Sequence, residues 1–249
     1  MHQSTEFLTP PDRRLAYRQR TGRPGAPGLI FCCGYGSNML GMKAELLDER
    51  CAEAGLALLR FDYRGHGQSS GSFTDGTIGG WFEDACLVFE RLTDGPRIVI
   101  GSSMGGWMAL MLALKYPERV RAVIGIAAAT DFTEELFLPS LKPAQQSQLE
   151  REGVVYLKAS PPDEPLPVTK KLVTEARQHL LLRDRLPVAC PLRLLQGMQD
   201  EAVPWSHALR IAEKVPHGDV RIALIKDGDH RLSRPQDLEL LWRTVEEFV

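Results

Sequence analysis

The sequence predicts an α/β fold in which a mostly parallel sheet carries helices on both faces. Three observations support this prediction. Short apolar runs typical of buried strands alternate with helical patterns through the first half of the chain. The same alternation returns near the C-terminus, and glycine or proline ends several of these segments. A chain of 249 residues is long enough to bury one large core without disulfides or a metal.

The elements of the first half follow one another in a regular order. Residues 29–33 form an apolar run that ends at Gly34, and residues 43–54 form a helical pattern that Gly55 ends. A later helical pattern ends before Pro117. The predicted elements of this half are strands at residues 29–33, 56–61, 97–100 and 120–126 and helices at residues 43–54, 81–92 and 104–116.

The alternation stops between residues 131 and 186. This stretch shows no strand pattern and mixes helical pieces with a proline-rich segment at residues 160–167. A long insertion after a sheet strand is a candidate lid over a site. We therefore expect one domain over residues 1–249, with an inserted helical lid at about 131–186. The elements predicted after the lid are strands at residues 192–195 and 220–225, a helix at 205–214 and a final helix from residue 235.

Composition and charge exclude several classes of function. The chain has 30 Lys and Arg against 32 Asp and Glu, and its net charge of −2 predicts no nucleic-acid partner. Its longest apolar runs, of about ten residues, are too short for a membrane span. The five cysteines show no metal-ligand spacing, which favours reduced thiols. No phosphate-binding or dinucleotide-binding glycine pattern occurs, and no secretory leader is visible, so we expect a cytoplasmic protein without a metal or cofactor.

The segment around Ser103 carries the strongest chemical signal. Ser103 lies between Gly101 and Gly105 in a G-x-S-x-G pattern, with a predicted strand before it and a predicted helix after it. This context is typical of a nucleophile elbow, a sharp turn in which bulkier residues two positions away would collide. Ser102 lacks this glycine spacing. We therefore predict that Ser103 is a nucleophile rather than a helix cap.

A serine nucleophile needs a base, and the base needs an orienting acid. Asp200 and His230 each follow a predicted strand, at the positions where sheet enzymes carry functional groups. Their order along the chain, after Ser103, agrees with this type of site. His66 is a rival base, but it precedes the nucleophile in a glycine-rich turn that we interpret as architectural. Glu201, Asp227 and Asp229 are the alternative acids.

Two backbone N–H groups are expected to stabilise the oxyanion of such a reaction. Met104, directly after the nucleophile, supplies one, and Tyr35 in the Cys-Gly-Tyr-Gly loop at residues 33–36 supplies the other. Because only the backbone of Tyr35 is required, its hydroxyl is expected to matter little. Apolar side chains of the lid, including Phe132 and Phe137, are candidates for an acyl-binding pocket, and packing onto the sheet is the alternative.

Together these motifs resemble the α/β-hydrolase superfamily from about residue 15 to the final helix. Within it they are most similar to palmitoyl-protein thioesterases that also cleave acyl glucuronides. The resemblance implies Ser103 as nucleophile, Asp200 as acid and His230 as base, acting on a small-molecule ester or an acylated protein. It also implies a mitochondrial location if the chain is a processed member. The segments that carry the resemblance are residues 60–63, 101–107, 190–195, Gly197, Asp200, 203–205 and 229–231.

The oxyanion loop departs from the superfamily pattern at one position, and two other functions are consistent with the sequence. Many superfamily members have His-Gly in the oxyanion loop, where this chain has Cys33 and Gly34. A peptidase of the prolyl aminopeptidase type would need acidic groups for the substrate amine, and Glu134 and Glu135 in the lid are candidates. A non-catalytic binding module would be marked by a lost member of the triad, and none is missing.

Overall fold

Ten strands are present in the computed structural model, which describes residues 4–157, 165–216 and 218–249. Eight of them form one sheet, in the order β1-β2-β4-β3-β5-β6-β9-β10, and β7 pairs only with β8. The six strands from β4 to β10 in that order run parallel, and β1 and β2 extend one edge in antiparallel fashion. The strands are β1 (Glu6–Leu8), β2 (Leu15–Arg20), β3 (Gly28–Cys32), β4 (Leu58–Phe61), β5 (Arg97–Ser102), β6 (Val120–Ile126), β7 (Val154–Leu157), β8 (Leu166–Thr169), β9 (Leu192–Gly197) and β10 (Val220–Ile225).

The helices begin and end at residues suited to those positions. Thr77 and Thr169 accept backbone N–H groups at the starts of α2 and α6. Gly55 ends α1 in the left-handed region, with φ at 65°. The helices are α1 (Met42–Ala54), α2 (Ile78–Leu92), α3 (Met104–Lys115), α4 (Leu138–Ser140), α5 (Pro143–Glu152), α6 (Lys170–Ala176), α7 (Trp205–Lys214) and α8 (Pro235–Glu246), with a 3₁₀ turn at Phe73–Asp75 and a π-helical turn at Thr133–Phe137.

The core lies between the sheet and these helices. Every residue of β3 and β9 is buried, as is usual for parallel strands covered on both faces. The helix α3 packs against β5 and β6 and against α2, and α1 packs against α8. The predicted α/β fold with a mostly parallel sheet is confirmed, and the strands and helices predicted outside the lid are present with small shifts of their ends. Within the described residues, no helix has the length and apolar content needed to cross a membrane.

The predicted lid, residues 131–186, differs from the expectation in one respect. The prediction that it contains no strands is wrong, because β7 and β8 form an antiparallel ribbon. A proline in β8 hides the strand pattern in the sequence, because Pro167 has no backbone N–H to donate to a neighbouring strand. Both strands of a two-stranded ribbon are edges, where a proline is tolerated. Residues 160–164 of the proline-rich segment lie outside the described residues, and the division into one domain with this lid stays a prediction.

A single carboxylate ties the beginning of the lid to its end. Asp131 is buried and has φ at 57°, an uncommon value for a residue with a side chain. Its carboxylate accepts the N–H of Leu181 at 2.9 Å and the N–H of Leu182 at 2.7 Å. Burial raises the pKa of Asp131 to about 6, while these two N–H groups act in the opposite direction. No local sequence pattern predicts this clamp.

Candidate active site

The turn between β5 and α3 holds Ser103 in a strained conformation. Its φ of 55° and ψ of −121° are rare for a residue other than glycine. The flanking glycines explain why the turn is possible. A Cβ atom at Gly101 would lie 2.1 Å from the carbonyl oxygen of Gly105, and one at Gly105 would lie 2.0 Å from the carbonyl oxygen of Cys32. The turn therefore presents Ser103 at the carboxyl edge of the sheet, where β5 ends.

Loops after two other strands bring the predicted acid and base to this serine. His230 follows β10, and its Nε2 lies 3.2 Å from Ser103 Oγ. Asp200 follows β9, and its Oδ2 lies 2.8 Å from Nδ1 of the same imidazole. The three predicted residues thus form one continuous hydrogen-bonded chain at the carboxyl edge of the sheet.

The surroundings of Asp200 keep its carboxylate ionised and fixed. Its Oδ1 accepts the backbone N–H groups of Ala202 and Val203 at 2.9 and 2.8 Å. Its Oδ2 accepts a hydrogen bond from Gln196 Nε2 at 3.0 Å, in addition to the one from His230. Burial alone would raise the pKa of Asp200, but the hydrogen bond and charge of His230 and the two N–H groups lower it below its ordinary value. An ionised Asp200 accepts a hydrogen bond from Nδ1 of His230 only in the tautomer that carries the proton there, and in that tautomer Nε2 is free to accept.

The loop after β3 lies directly against Ser103. A Cβ atom at Gly34 would lie 3.2 Å from Ser103 Cβ and 3.9 Å from its Oγ. No acceptor among the described residues takes the backbone N–H of Tyr35. Met104 is the first residue of α3, a position where the helix itself offers no acceptor. The two predicted oxyanion donors therefore lie beside Ser103, Tyr35 in the loop after β3 and Met104 at the start of α3.

His66 has a role in this region other than that of a base. It is buried, its Nε2 accepts the N–H of Gly36 at 3.3 Å, and its Nδ1 faces the carbonyl oxygen of Arg64 at 3.3 Å. Burial lowers the pKa of His66 to about 4, so it is neutral near pH 7. The imidazole thus supports the loop at residues 33–36, in line with the architectural interpretation of its turn.

The alternative acids bind other groups or are exposed, and the nearby thiol is buried. Asp229 accepts the N–H groups of Arg231 and Leu232 and so shapes the loop that carries His230. Asp227 pairs with Arg234, and Glu201 is exposed. Burial raises the pKa of the Cys33 thiol well above its ordinary value, which makes it a poor nucleophile. Among the described residues, no cluster of three His, Cys, Asp or Glu side chains is arranged to hold a metal ion.

The lid contributes aromatic and polar contacts near the site. The Phe132 ring lies 5.5 Å from the ring of Tyr35 and 6.1 Å from that of Trp107, and Phe137 is buried. The Tyr35 hydroxyl donates to the carbonyl oxygen of Pro167, a contact that no local sequence pattern predicts because the two residues lie 132 positions apart. A separate lid cavity of about 290 Å³ is lined by Leu138, Leu141, Gln146, Leu149 and Glu150.

Both candidate acidic groups of the peptidase alternative already have partners. Glu134 pairs with Arg177 at 2.6 Å, and Glu135 pairs with Arg210 at 2.5 Å. A carboxylate paired with a guanidinium gains little from a substrate amine, because the amine would have to displace the arginine. The lid thus gives the peptidase interpretation no support at these positions.

Comparisons with known proteins agree on one fold. The family model for the alpha/beta hydrolase fold matches residues 27–180. The mitochondrial palmitoyl-protein thioesterase ABHD10 of Rattus norvegicus is 40% identical over 245 residues, which are 98% of this chain and 82% of the relative. A crystal structure of a putative hydrolase from Agrobacterium vitis S4 is 35% identical, covers 100% of both chains and has a TM-score of 0.95. Alpha/beta hydrolase domain-containing protein 10 from mouse is 37% identical, covers 98% of this chain and 97% of its own and has a TM-score of 0.89.

Each of these three relatives covers at least 98% of this chain, so the similarity extends beyond the residues that the family model matches. The rat relative is named as a mitochondrial protein. The cytoplasmic location expected of this chain stays a prediction.

Proposed function

This chain belongs to the α/β hydrolase family, and from that premise we propose that it is a serine hydrolase that cleaves carboxylic esters or thioesters through an acyl-enzyme on Ser103. One observation carries the proposal. Ser103 Oγ, the His230 imidazole and the Asp200 carboxylate are joined by contacts of 3.2 and 2.8 Å. This is the geometry in which a base removes the proton of a serine hydroxyl while an acid holds the base in the correct tautomer.

Acylation is the first half of the proposed reaction. Ser103 Oγ attacks the acyl carbonyl carbon as its proton passes to His230 Nε2, which gives a tetrahedral intermediate with a negative oxygen. The N–H groups of Tyr35 and Met104 stabilise that oxygen, and the N-terminus of α3 adds a favourable dipole. The carbon–oxygen or carbon–sulfur bond then breaks, and His230 returns the proton to the leaving alkoxide or thiolate.

Deacylation uses the same groups with water as the nucleophile. His230 takes a proton from water as its oxygen attacks the acyl carbonyl of the Ser103 ester. Collapse of the second tetrahedral intermediate releases the carboxylic acid, and the proton returns to Ser103 Oγ. The ionised Asp200 stabilises the imidazolium that exists during both halves of the cycle.

The proposed substrates are acyl esters and thioesters of small molecules or of acylated proteins. Support comes from the relative named as a palmitoyl-protein thioesterase, which shares 40% identity over nearly the full chain. Apolar side chains of the lid, Phe132 and Phe137 among them, are proposed to contact the acyl group. The arginine partners of Glu134 and Glu135 weigh against an amine-binding peptidase site, and an intact triad weighs against a non-catalytic module.

The proposal is tested with Ser103→Ala and p-nitrophenyl butyrate. We expect kcat to fall about 10⁴- to 10⁶-fold, because a triad without its nucleophile retains only the contribution of binding and the oxyanion donors. Mass spectrometry after treatment with a fluorophosphonate locates the covalent adduct, which we expect on Ser103 of the unsubstituted protein.

Ser102→Ala is the matched control, since it removes the neighbouring hydroxyl from the same turn. We expect this variant to keep both its activity and the adduct on Ser103. Normal hydrolysis by Ser103→Ala, or an adduct on another residue, would show that the proposed nucleophile is wrong.

A further inference from the structure

The oxyanion loop, residues 33–36, has a support on its inner side. Gly34 lies against Ser103, and the N–H of Gly36 donates to Nε2 of the buried His66. Tyr35 stands between these two fixed glycines. Its backbone N–H is the proposed oxyanion donor, so any displacement of this residue moves a group that must meet the developing charge.

The outer side of the same loop rests on the lid ribbon formed by β7 and β8. The Tyr35 hydroxyl donates to the carbonyl oxygen of Pro167 in β8. The neighbouring Leu166 packs so closely over Gly36 that a Cβ atom there would lie 2.6 Å from its Cδ2. The strand β8 also packs against the 3₁₀ turn Phe73–Asp75. The lid ribbon and the oxyanion loop therefore share a polar contact and an apolar one.

Aromatic rings surround the ring of Tyr35, so its hydroxyl is not needed to hold the side chain in place. The ring packs against Phe73 at 4.8 Å, Trp81 at 5.6 Å and Phe132 at 5.5 Å, so apolar contacts already hold the body of the side chain. Burial raises the pKa of Tyr35, which keeps the phenol protonated and able to donate. The hydrogen bond of the hydroxyl is directional, so it fixes the position of the ribbon relative to Tyr35 at the carbonyl oxygen of Pro167.

We propose that Tyr35 is a positioning residue whose hydroxyl, bonded to the carbonyl oxygen of Pro167, makes the lid ribbon the outer support of the oxyanion loop. This inference rests on the proposed serine mechanism and replaces the expectation that the hydroxyl matters little. It also predicts how the lid influences catalysis. The ribbon acts on the rate of the chemical step through Tyr35, without its own side chains touching the reacting atoms.

The test compares Tyr35→Phe with the unsubstituted protein on p-nitrophenyl acetate, whose short acyl group makes few lid contacts. Removal of an oxyanion donor costs about 10²- to 10³-fold in kcat. We expect a donor that is displaced but present to cost less, on the order of tenfold in kcat, with KM changed by less than about twofold. A merely structural role would leave kcat per folded molecule unchanged, and circular dichroism gives the folded fraction.

Tyr116→Phe is the matched control, because its hydroxyl also donates to a protein oxygen, that of Glu90, at the opposite end of α3 from Ser103. We expect its kcat to equal that of the unsubstituted protein. Leu166→Ala provides a second route, since it weakens the apolar half of the same support. We expect it to lower kcat, and we expect the double variant with Tyr35→Phe to lose less than the product of the two single effects.

Two results would overturn the inference while leaving the serine mechanism intact. One is an unchanged kcat in folded Tyr35→Phe, and the other is multiplicative effects of Tyr35→Phe and Leu166→Ala. Failure of the mechanism itself is read separately, from an active Ser103→Ala variant.

Discussion

The conformation of Ser103 shows how backbone geometry selects the residue types around the proposed nucleophile. A φ of 55° and a ψ of −121° are unfavourable for a serine, so contacts with the surrounding structure must stabilise this conformation. Two hydrogen bonds do this. The N–H of Ser103 donates to the carbonyl oxygen of Ile126 at 2.9 Å, and the carbonyl oxygen of Ser103 accepts the N–H of Ala129 at 3.0 Å. The end of β6 and the loop after it thereby hold both backbone groups of the strained residue.

A substitution at Gly34 tests the contact between the oxyanion loop and the nucleophile. The added Cβ atom of Gly34→Ala would lie 3.2 Å from both Ser103 Cβ and the carbonyl oxygen of Ser102, so the loop must shift by a few tenths of an ångström. Even a small displacement of an oxyanion donor is costly. We expect Gly34→Ala to fold and to lose about 10- to 100-fold in kcat, measured on p-nitrophenyl butyrate.

Gly41→Ala is the control for this change, because it lies on the same connection before α1 and has an ordinary φ of −69°. A Cβ atom there meets only the carbonyl oxygen of Asn38, at 3.8 Å. We expect its activity to be unchanged. Equal activities of Gly34→Ala and Gly41→Ala would mean that the loop near Ser103 is not part of the oxyanion site.

The sequence predicts those site residues that carry a local signal, such as glycine spacing or a position directly after a strand. Ser103 has its glycine spacing, and Asp200 and His230 each follow a strand, so all three could be named in advance. Supports that depend on distant partners could not. The Tyr35 hydroxyl meets a carbonyl oxygen 132 residues away, and the N–H of Gly36 meets the ring of His66. No local pattern encodes either contact.

At the element scale, burial decides which strands are visible in the sequence. The central strands are buried on both faces, and β3 reads as an unbroken apolar run, whereas the equally buried β9 includes Arg193 and Gln196. The antiparallel strand β2 has two buried residues followed by four partly or fully exposed ones, two of them arginines, and the edge strand β1 has only three residues. Such short or mixed strands, like the ribbon with Pro167, give no signal above that of a loop.

The lid makes a prediction about substrate length. If its apolar side chains line an acyl site, each methylene buried by the substrate contributes up to about 0.8 kcal/mol. We therefore expect kcat/KM to rise by up to about fourfold per added methylene from acetyl thioesters upward, until the site is full. Phe137→Ala removes part of the proposed wall, and we expect it to lower this gain per methylene.

Phe248→Ala controls for general loss of packing, since Phe248 is also a buried phenylalanine but lies at the C-terminal end of the chain. Its chain-length profile should match that of the unsubstituted protein. A rate that is highest for acetyl and declines with each added carbon would instead indicate that Phe132 and Phe137 only pack the lid onto the sheet.

At the scale of the whole molecule, the site exists only when the sheet is assembled. Ser103, Asp200 and His230 follow β5, β9 and β10, and β6 lies between the first two of these strands. Their alignment therefore depends on the parallel register from β5 to β10. Stability and activity are linked through this register, and a buried group that titrates affects both.

His66 supplies a test of that stability. Its pKa is about 4 in the folded protein, against an ordinary value near 6.5. Between these values the unfolded chain binds a proton that the folded protein excludes. The free energy of unfolding should therefore fall as the pH is lowered from about 6.5 to about 4, by a total of about 3 kcal/mol from this residue.

His66→Gln keeps an acceptor for the N–H of Gly36 but does not titrate. Urea unfolding of both proteins between pH 7 and pH 4 gives the difference in their unfolding free energies. We expect this difference to change by about 3 kcal/mol in favour of the variant as the pH falls, since all other titrating groups are shared. A difference that stays constant with pH would place the pKa of His66 near its ordinary value.

The Asp131 clamp determines where the segment at residues 132–180 is joined to the rest of the chain. By joining the N–H groups of Leu181 and Leu182 to the residue that opens the lid, it brings the two ends of a 49-residue excursion, residues 132–180, to one point. A segment that leaves and returns at one point is an exchangeable cassette. We therefore expect that its length and sequence can change by insertion, deletion or grafting while the sheet keeps its register, and that such changes alter the proposed acyl site without altering the contacts among Ser103, Asp200 and His230.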